Sequence, residues 1–314
     1  MSERKRIVIA GGCYNEVENI PELYARCCEV MKDFPQYDFE FLCSDNCSTD
    51  GTREVIRELA AKDKRVKAIF NSANFGHIRS PYNGFINAYG DAVINICTDL
   101  QDPPELIADM IREWENGSKV VIAVRNKTQC NPLMESVRNF YYYLLKKSSP
   151  HEDIIRGFTG FGLYDKVFMD SIRKFNEPYP YLRGLVSEIG FKRTEVTFEQ
   201  PARKHGITKN NFFTLYDMAM TGFVHHTKVP LRLAVFSGFV IAFLSLLSAL
   251  GYFIYKLCNW DNFQVGIAPL VIGLFFFSSV QLIFIGIVGE YIGAIWTQVK
   301  NKPLVIEEER INFD

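Results

Sequence analysis

The sequence predicts a doubly wound, mostly parallel α/β domain followed by an interfacial amphipathic helix and two transmembrane helices. Three observations carry this. Between Arg6 and about Arg125, short apolar runs alternate with stretches of helical periodicity, the β-α repeat of a parallel sheet with right-handed crossovers. A polar cluster of distinctive composition follows each of the first four apolar runs. Near the C-terminus, Leu233 to Tyr255 and about Val265 to Gly289 carry no charge, and each exceeds the ~20 residues that cross a bilayer core.

The elements read as follows. "RIVIAGG" is a strand, and "NIPELYARCCEVMKDF" is a helix with Asn19 as its cap. "FEFLCSD" is a strand, then "TDGTREVIRELAAKD" a helix, with Asp50 as a cap or turn residue. "VKAIFN" is a strand, followed by a helix through about Ala88. "DAVINICTD" is a strand and "PPELIADMIREWENG" a helix; Asp102 precedes two prolines and Glu105, the pattern of an N-cap, Pro at the first helical position and Glu at the third. "KVVIAVR" is a fifth strand.

These elements give a cytosolic domain over 1–209, an amphipathic interfacial helix over 210–230, spans over 231–257 and 265–296, an extracytoplasmic loop over 258–264, and a cytosolic tail over 297–314, its "EEERINFD" end solvated. Lys228 and Arg232 precede the first span, and Lys300 and Lys302 follow the second. The positive-inside rule therefore places the domain and both termini in the cytoplasm, with the chain multi-pass. Trp260 and Trp296 suit the two interfaces. The N-terminus lacks the apolar core of a signal peptide. Lys+Arg numbers 35 against 36 Asp+Glu, which gives no sign of a nucleic-acid partner. The eight cysteines form no C-x-x-C pair and no zinc spacing, as in a reduced compartment.

The clusters "CYNEVEN", "SDNCSTDGT", "NSANFGH" and "TDLQDPPE" all fall at carboxyl ends of strands, the edge where open α/β sheets bind ligands. No G-x-G-x-x-G and no P-loop is present. The edge offers carboxylates instead: Glu16, Asp45, Asp50, Asp99 and Asp102. Carboxylate oxygens suit Mg²⁺ or Mn²⁺, which bridge protein to substrate phosphates and stabilise a departing diphosphate.

In order and spacing, "YNEVENI", "DNCSTDGT", "NFG", "GDAVI" and "TDLQDPPEL" resemble the family 2 glycosyltransferases of the GT-A fold. The likeness extends through "YLRGLVSEIGFKRTEVTFEQPARKHGITK" and both spans, and is greatest to polyprenyl-phosphate glycosyltransferases, such as dolichol-phosphate mannose synthase and bacterial enzymes that glucosylate undecaprenyl phosphate. The resemblance implies an inverting, metal-dependent transfer of one sugar from a nucleotide-diphosphate sugar, UDP by preference, to a polyprenyl phosphate at the cytoplasmic face of a bacterial-type plasma membrane. It implies that Tyr14, Asn15, Glu16, Asp45 and Asn74 hold the nucleotide. Asp99 would bind the metal, with Gln101 and Asp102 as further candidates. Arg125 and Arg138 would hold the acceptor phosphate, while Arg203 and Lys209, in a basic loop, would close over donor and acceptor.

Two departures stand out. The usual Asp-Ala-Asp is Cys97-Thr98-Asp99, and Gly160 stands where many relatives carry an Asp sometimes proposed as a base. A phosphate monoester with a second pKa near ~6 is itself ionised at neutral pH, so a lipid-phosphate acceptor needs no base. The rivals are a catalytically silent membrane scaffold and a processive polysaccharide synthase; the latter's Q-x-x-R-W segment is missing. Gly273, Gly286, Gly289 and Gly293 suggest a homo-oligomer packed through the spans.

Overall fold

A computed structural model describes residues 4–126, 157–175, 177, 180–199, 201, 229–258, 267–300 and 302–313. It contains two compact units.

The first unit is built on an eight-stranded sheet. In chain order its elements are β1 (Arg6–Cys13), α1 (Asn19–Met31), β2 (Asp38–Asp45), α2 (Thr52–Lys62), β3 (Val66–Asn71), α3 (Gly76–Ile86), β4 (Ala92–Asn95), α4 (Leu106–Glu115), β5 (Val120–Arg125), β6 (Phe158–Asp165), α5 (Lys166–Ile172), α6 (Leu182–Ile189) and β7 (Arg193–Phe198). The sheet order is β7-β5-β6-β4-β1-β2-β3-β8, where β8 (Glu307–Ile311) comes from the C-terminal end of the chain. Strands β4, β1, β2 and β3 pair in parallel, as the alternating pattern predicts. β6 inserts antiparallel between β4 and β5, and β7 runs parallel to β5.

Side-chain alternation along the strands makes two cores. Ile7 and Ile9 of β1 face one core, with Leu23 of α1, Ile56 of α2 and Met110 of α4. Val8 and Ala10 face the other, with Phe85 of α3, Phe168 of α5 and Leu185 of α6. A strand buried on both faces, with helices above and below, is the doubly wound arrangement expected. In the second core Tyr164 is wedged between Phe85 and Phe168, with ring centroids at 5.1 and 5.0 Å. Each such fully buried aromatic contributes roughly 1.5–3 kcal/mol of burial energy.

The expected solvated tail is instead a strand. β8 pairs antiparallel with β3, and Asn312, at φ +59, donates its side-chain amide to the carbonyls of Ala60 and Val66 at 2.9 and 2.8 Å. Three successive glutamates are poor strand formers, but here their carboxylates meet cations and amides of α2 and α3. Glu309 pairs with Arg57 at 2.7 Å, and Glu307 accepts from Asn83 at 2.7 Å. The hydrogen-bonding edge of β3 adds the backbone ladder.

The second unit contains α7 (Val229–Cys258) and α8 (Ile267–Val299). Both are long and apolar enough to cross a membrane, and their apolar side chains are exposed. Gly238 of α7 lies where an added Cβ would touch Phe284 of α8 at 3.4 Å. Gly273, Gly286, Gly289 and Gly293 have open space where a side chain would stand. The amphipathic segment 210–228 and the loop 259–266 lie outside the described residues.

Candidate functional site

The loops at the carboxyl ends of β1, β2, β3 and β4 form one hydrogen-bonded layer. After β1, Asn15 takes the left-handed conformation (φ +59) that Asn tolerates better than most residues. Its N–H donates to Ser48 Oγ and its side-chain oxygen accepts from the Thr49 N–H, both at 2.9 Å. Glu16 N–H donates to Thr52 Oγ1 at 2.9 Å, and Val17 N–H to Asp50 at 3.3 Å. The Tyr14–Glu16 turn and the Ser48–Thr52 turn are thereby stitched together. Asp50 is the turn residue expected: it accepts from the Thr52 N–H and hydroxyl. Burial works against its ionised form, but these bonds and that from Val17 outweigh it and hold the carboxyl below its usual range.

Asp45, at the end of β2, is fully buried. Its carboxylate accepts from the Ser48 N–H at 3.1 Å and from Arg53 Nε at 2.7 Å. It therefore shapes the turn, in which Cys47 is left-handed at φ +62. Asn46, the next residue, joins three loops. Its N–H donates to the Cys13 carbonyl at 3.0 Å, its amide to Asn74 Oδ1 at 2.9 Å and the Gly76 carbonyl at 3.2 Å, and its Oδ1 accepts from the Phe75 N–H at 2.8 Å. The "NFG" loop is thus tied to β2 through a residue that the sequence reading passed over, although it sits inside the most distinctive motif.

The β4 loop closes against β1. Thr98 donates its hydroxyl to the Gly12 carbonyl at 3.0 Å. A Cβ on Gly12 would stand 2.6 Å from Pro81 of α3, so the double glycine serves close packing and not a dinucleotide. Asp99, half-buried, accepts from the Gln101 N–H at 3.3 Å. Between them Leu100 is buried and left-handed at φ +60, a conformation costing about 1–3 kcal/mol in a non-glycine residue. Three such residues, Asn15, Cys47 and Leu100, fall in loops of this one edge.

Asp102 is not the N-cap of α4. The helix starts at Leu106, with Glu105 at the cap and no side-chain bond there. Asp102 turns back instead and accepts from the Cys97 N–H at 3.1 Å, with the Thr159 hydroxyl at 3.5 Å. Burial is the main reason its carboxyl is pushed up to about 6; Asp99 adds to the rise, and Cys97 and Arg125 oppose it. Asn19 is likewise not a cap: it lies inside α1, where its amide donates to Glu16 at 2.5 Å.

Arg125 ends β5, with Nε 3.4 Å from the Gly157 carbonyl, and is near enough to Asp102 to act on its ionisation. Gly160, on β6, has φ +105 and accepts from the Asn95 amide at 3.0 Å and the Tyr164 hydroxyl at 3.1 Å. The backbone at the departed position is one that Asp would occupy under strain. Arg138, Arg203 and Lys209 lie outside the described residues.

Among the described residues, no three His, Cys, Asp or Glu side chains converge as a metal cage. Asp99, with Asp102 and Gln101 in the same loop, fits a hard cation that takes one or two protein oxygens and completes its shell with water and substrate phosphates.

A family model described as "Glycosyl transferase family 2" matches residues 11–172. The chain is 34% identical to the uncharacterized glycosyltransferase YkcC of Bacillus subtilis (strain 168), over 100% of this chain and 97% of that protein. It is 31% identical to the SfII prophage-derived bactoprenol glucosyl transferase of Shigella flexneri, covering 93% of this chain and 94% of that protein. Among solved structures it is similar to a mannosyltransferase of Pyrobaculum calidifontis in complex with GDP-Man and Mn²⁺, at 15% identity and TM-score 0.46 over 96% of this chain and 88% of the other. The family match over half the sequence, together with relatives aligned along its whole length, establishes that the chain belongs to glycosyl transferase family 2.

Proposed function

We propose that this chain moves a single sugar from a nucleotide-diphosphate sugar, UDP by preference, to a polyprenyl phosphate at the cytoplasmic face of a membrane. The observation that carries this reading is the span of the likeness to a bactoprenol glucosyl transferase, 93% of this chain. The share left unaligned is shorter than either long apolar helix, so the likeness reaches into both helices as well as the sheet domain.

The return of β8 to the sheet supports the anchoring. β8 follows α8 yet belongs to the same unit as β1–β7. Helices that cross a bilayer between two parts of one sheet must cross an even number of times, so domain and termini share a side. In the sequence, Lys228 and Arg232 lie at the start of the first apolar run and Lys300 and Lys302 after the second, which supports the cytoplasm as that side. The acceptor cannot leave the bilayer, and a site held beside it gains effective concentration. Homo-oligomerisation through the glycine positions of α8 belongs to this reading, and a monomeric mass in several mild detergents would remove it.

In the reaction, the turns carrying Tyr14–Glu16, Asp45 and Asn74 hold the nucleotide. Asp99 holds Mg²⁺ or Mn²⁺, which supplies charge stabilisation for the leaving nucleotide diphosphate. Arg125, joined by Arg138, Arg203 and Lys209, binds phosphate oxygens, for which the guanidinium fork is well matched. An acceptor phosphate oxygen attacks the anomeric carbon, the bond to the diphosphate breaks, and configuration inverts. No proton has to be removed from an ionised phosphate, so the chain has no need of a carboxylate at Gly160.

A transfer assay tests this. Detergent-solubilised protein, undecaprenyl phosphate and divalent metal are combined with a panel of labelled UDP- and GDP-sugars. Label entering the lipid from one donor, and not with Asp99→Asn, is the expected result. No transfer from any donor, with nucleotide binding intact, would overturn it.

A further inference from the structure

The C-terminal strand contributes to the nucleotide-binding edge through one arginine. Arg53 of α2 is largely enclosed, its side chain 16% exposed, and its planar fork reaches three acceptors on three elements. Nε donates to Asp45 Oδ2 at 2.7 Å, Nη2 donates to the Asn71 carbonyl at the end of β3, and Nη1 donates to Glu308 of β8 at 3.0 Å. The guanidinium also lies over the Phe70 ring, 5.3 Å from its centroid. Asp45 then accepts from the Ser48 N–H, and Ser48 Oγ from the N–H of Asn15. A continuous polar chain therefore runs from Glu308, beyond the second apolar helix, to the turn that carries Tyr14 and Glu16.

We propose that Arg53 and Glu308 are positioning residues of the donor site: β8 holds the Arg53 fork against Asp45 and so sets the geometry of the nucleotide-binding turns. This rests on the nucleotide-sugar reading above. The geometry distinguishes a positioning role from a merely adhesive one, because the neighbouring pair on the same strand and helix does not share it. Glu309 and Arg57 pair at 2.7 Å with both side chains 42% exposed, and that pair has no bond to Asp45. An arginine can grip two carboxylates and a carbonyl at once, whereas a lysine is a single flexible point charge. Losing Glu308 leaves Arg53 with one carboxylate and a freer orientation.

The test uses the full chain in detergent with Mn²⁺. Nucleotide affinity is measured with UDP and GDP, alongside donor KM, kcat and melting temperature. Glu308→Gln is expected to weaken binding of the preferred nucleotide by about twofold to fivefold, the range of a partly exposed ion pair. Donor KM should rise in step, with kcat at saturating donor unchanged and any fall in melting temperature no larger than that of Glu309→Gln. Glu309→Gln should leave affinity, donor KM and kcat unaltered. Arg53→Lys should weaken binding at least as much as Glu308→Gln; if it fails to fold, the glutamate pair still decides. Equal affinities for Glu308→Gln and Glu309→Gln, or a lower melting temperature with unaltered affinity, would overturn the proposal. A wild-type protein that binds neither nucleotide would instead overturn the functional reading beneath it.

Discussion

Replacing Asp102 by Asn should stabilise the metal-free protein at pH 8 and do little near pH 4. The carboxyl is buried and pushed up to about 6 from a usual 3.8, chiefly by loss of hydration. A group whose pKa is raised on folding stabilises the native state fully below the unfolded value. That contribution is lost as pH rises through the folded value, here between about 4 and 6. At 1.36 kcal/mol per pH unit, the interval amounts to about 3 kcal/mol. Asparagine keeps an acceptor for the Cys97 N–H and a donor for the Thr159 hydroxyl but carries no charge to desolvate. For a domain of roughly 200 residues, about 3 kcal/mol corresponds to about 6–12 °C in melting temperature. The assay is thermal unfolding in EDTA from pH 4.5 to 8, wild type beside Asp102→Asn. The account expects a gap that opens with pH. A gap constant across the range, or a less stable variant at pH 8, would refute the burial argument. Repeating the series with Mn²⁺ adds a second reading: a narrowed gap would mark Asp102 as a metal ligand beside Asp99.

Other perturbations probe the packing of the edge. Gly160→Asp must place a side chain at φ +105, at a cost of about 1–3 kcal/mol, and thermal unfolding should show the loss without any gain in transfer rate. Asn46→Ala removes part-buried bonds to Phe75, Asn74 and Gly76, each contributing about 0.5–1.5 kcal/mol. Donor KM should rise more than kcat falls, and a larger effect on kcat would argue against a donor-side role. Gly12→Ala drives a methyl to 2.6 Å from Pro81; overpacking of this kind costs about 1–3 kcal/mol, measurable as a lower melting temperature.

The legible parts of this molecule are those whose physics is local. Alternation of apolar runs and helical periods reveals β1 to α4, and the run of "VVIAVR" reveals β5. The placement of polar clusters after strands identifies the edge where the left-handed residues Asn15, Cys47 and Leu100 are found. What escaped depends on partners distant in sequence. β6 lies between β4 and β5, and nothing in "GFTGFGLYD" states that it will pair with β4, some seventy positions earlier, as well as with β5. β8 looks like a solvated tail because "EEERI" has neither alternation nor β propensity; its stability comes from the edge of β3 and the arginines of α2. Asp102 and Asn19 have the composition of helix caps, but Asp102 turns back to accept from the Cys97 N–H, and Asn19 bonds to Glu16. Asn46 and Arg53 were passed over for a related reason. Asparagine beside a buried strand end and arginine in the first turn of a helix are ordinary by type, and only their several partners mark them.

The central claim of the proposed function is that the acceptor is an ionised lipid phosphate, which attacks without needing a base. The most direct measurement offers the solubilised protein, with its preferred labelled donor and Mn²⁺, undecaprenyl phosphate in one reaction and undecaprenol in another. The account predicts transfer to the phosphate, abolished by EDTA and by Asp99→Asn, and none to the alcohol. Label entering undecaprenol at a comparable rate, or transfer to the phosphate that survives both EDTA and Asp99→Asn, would contradict it.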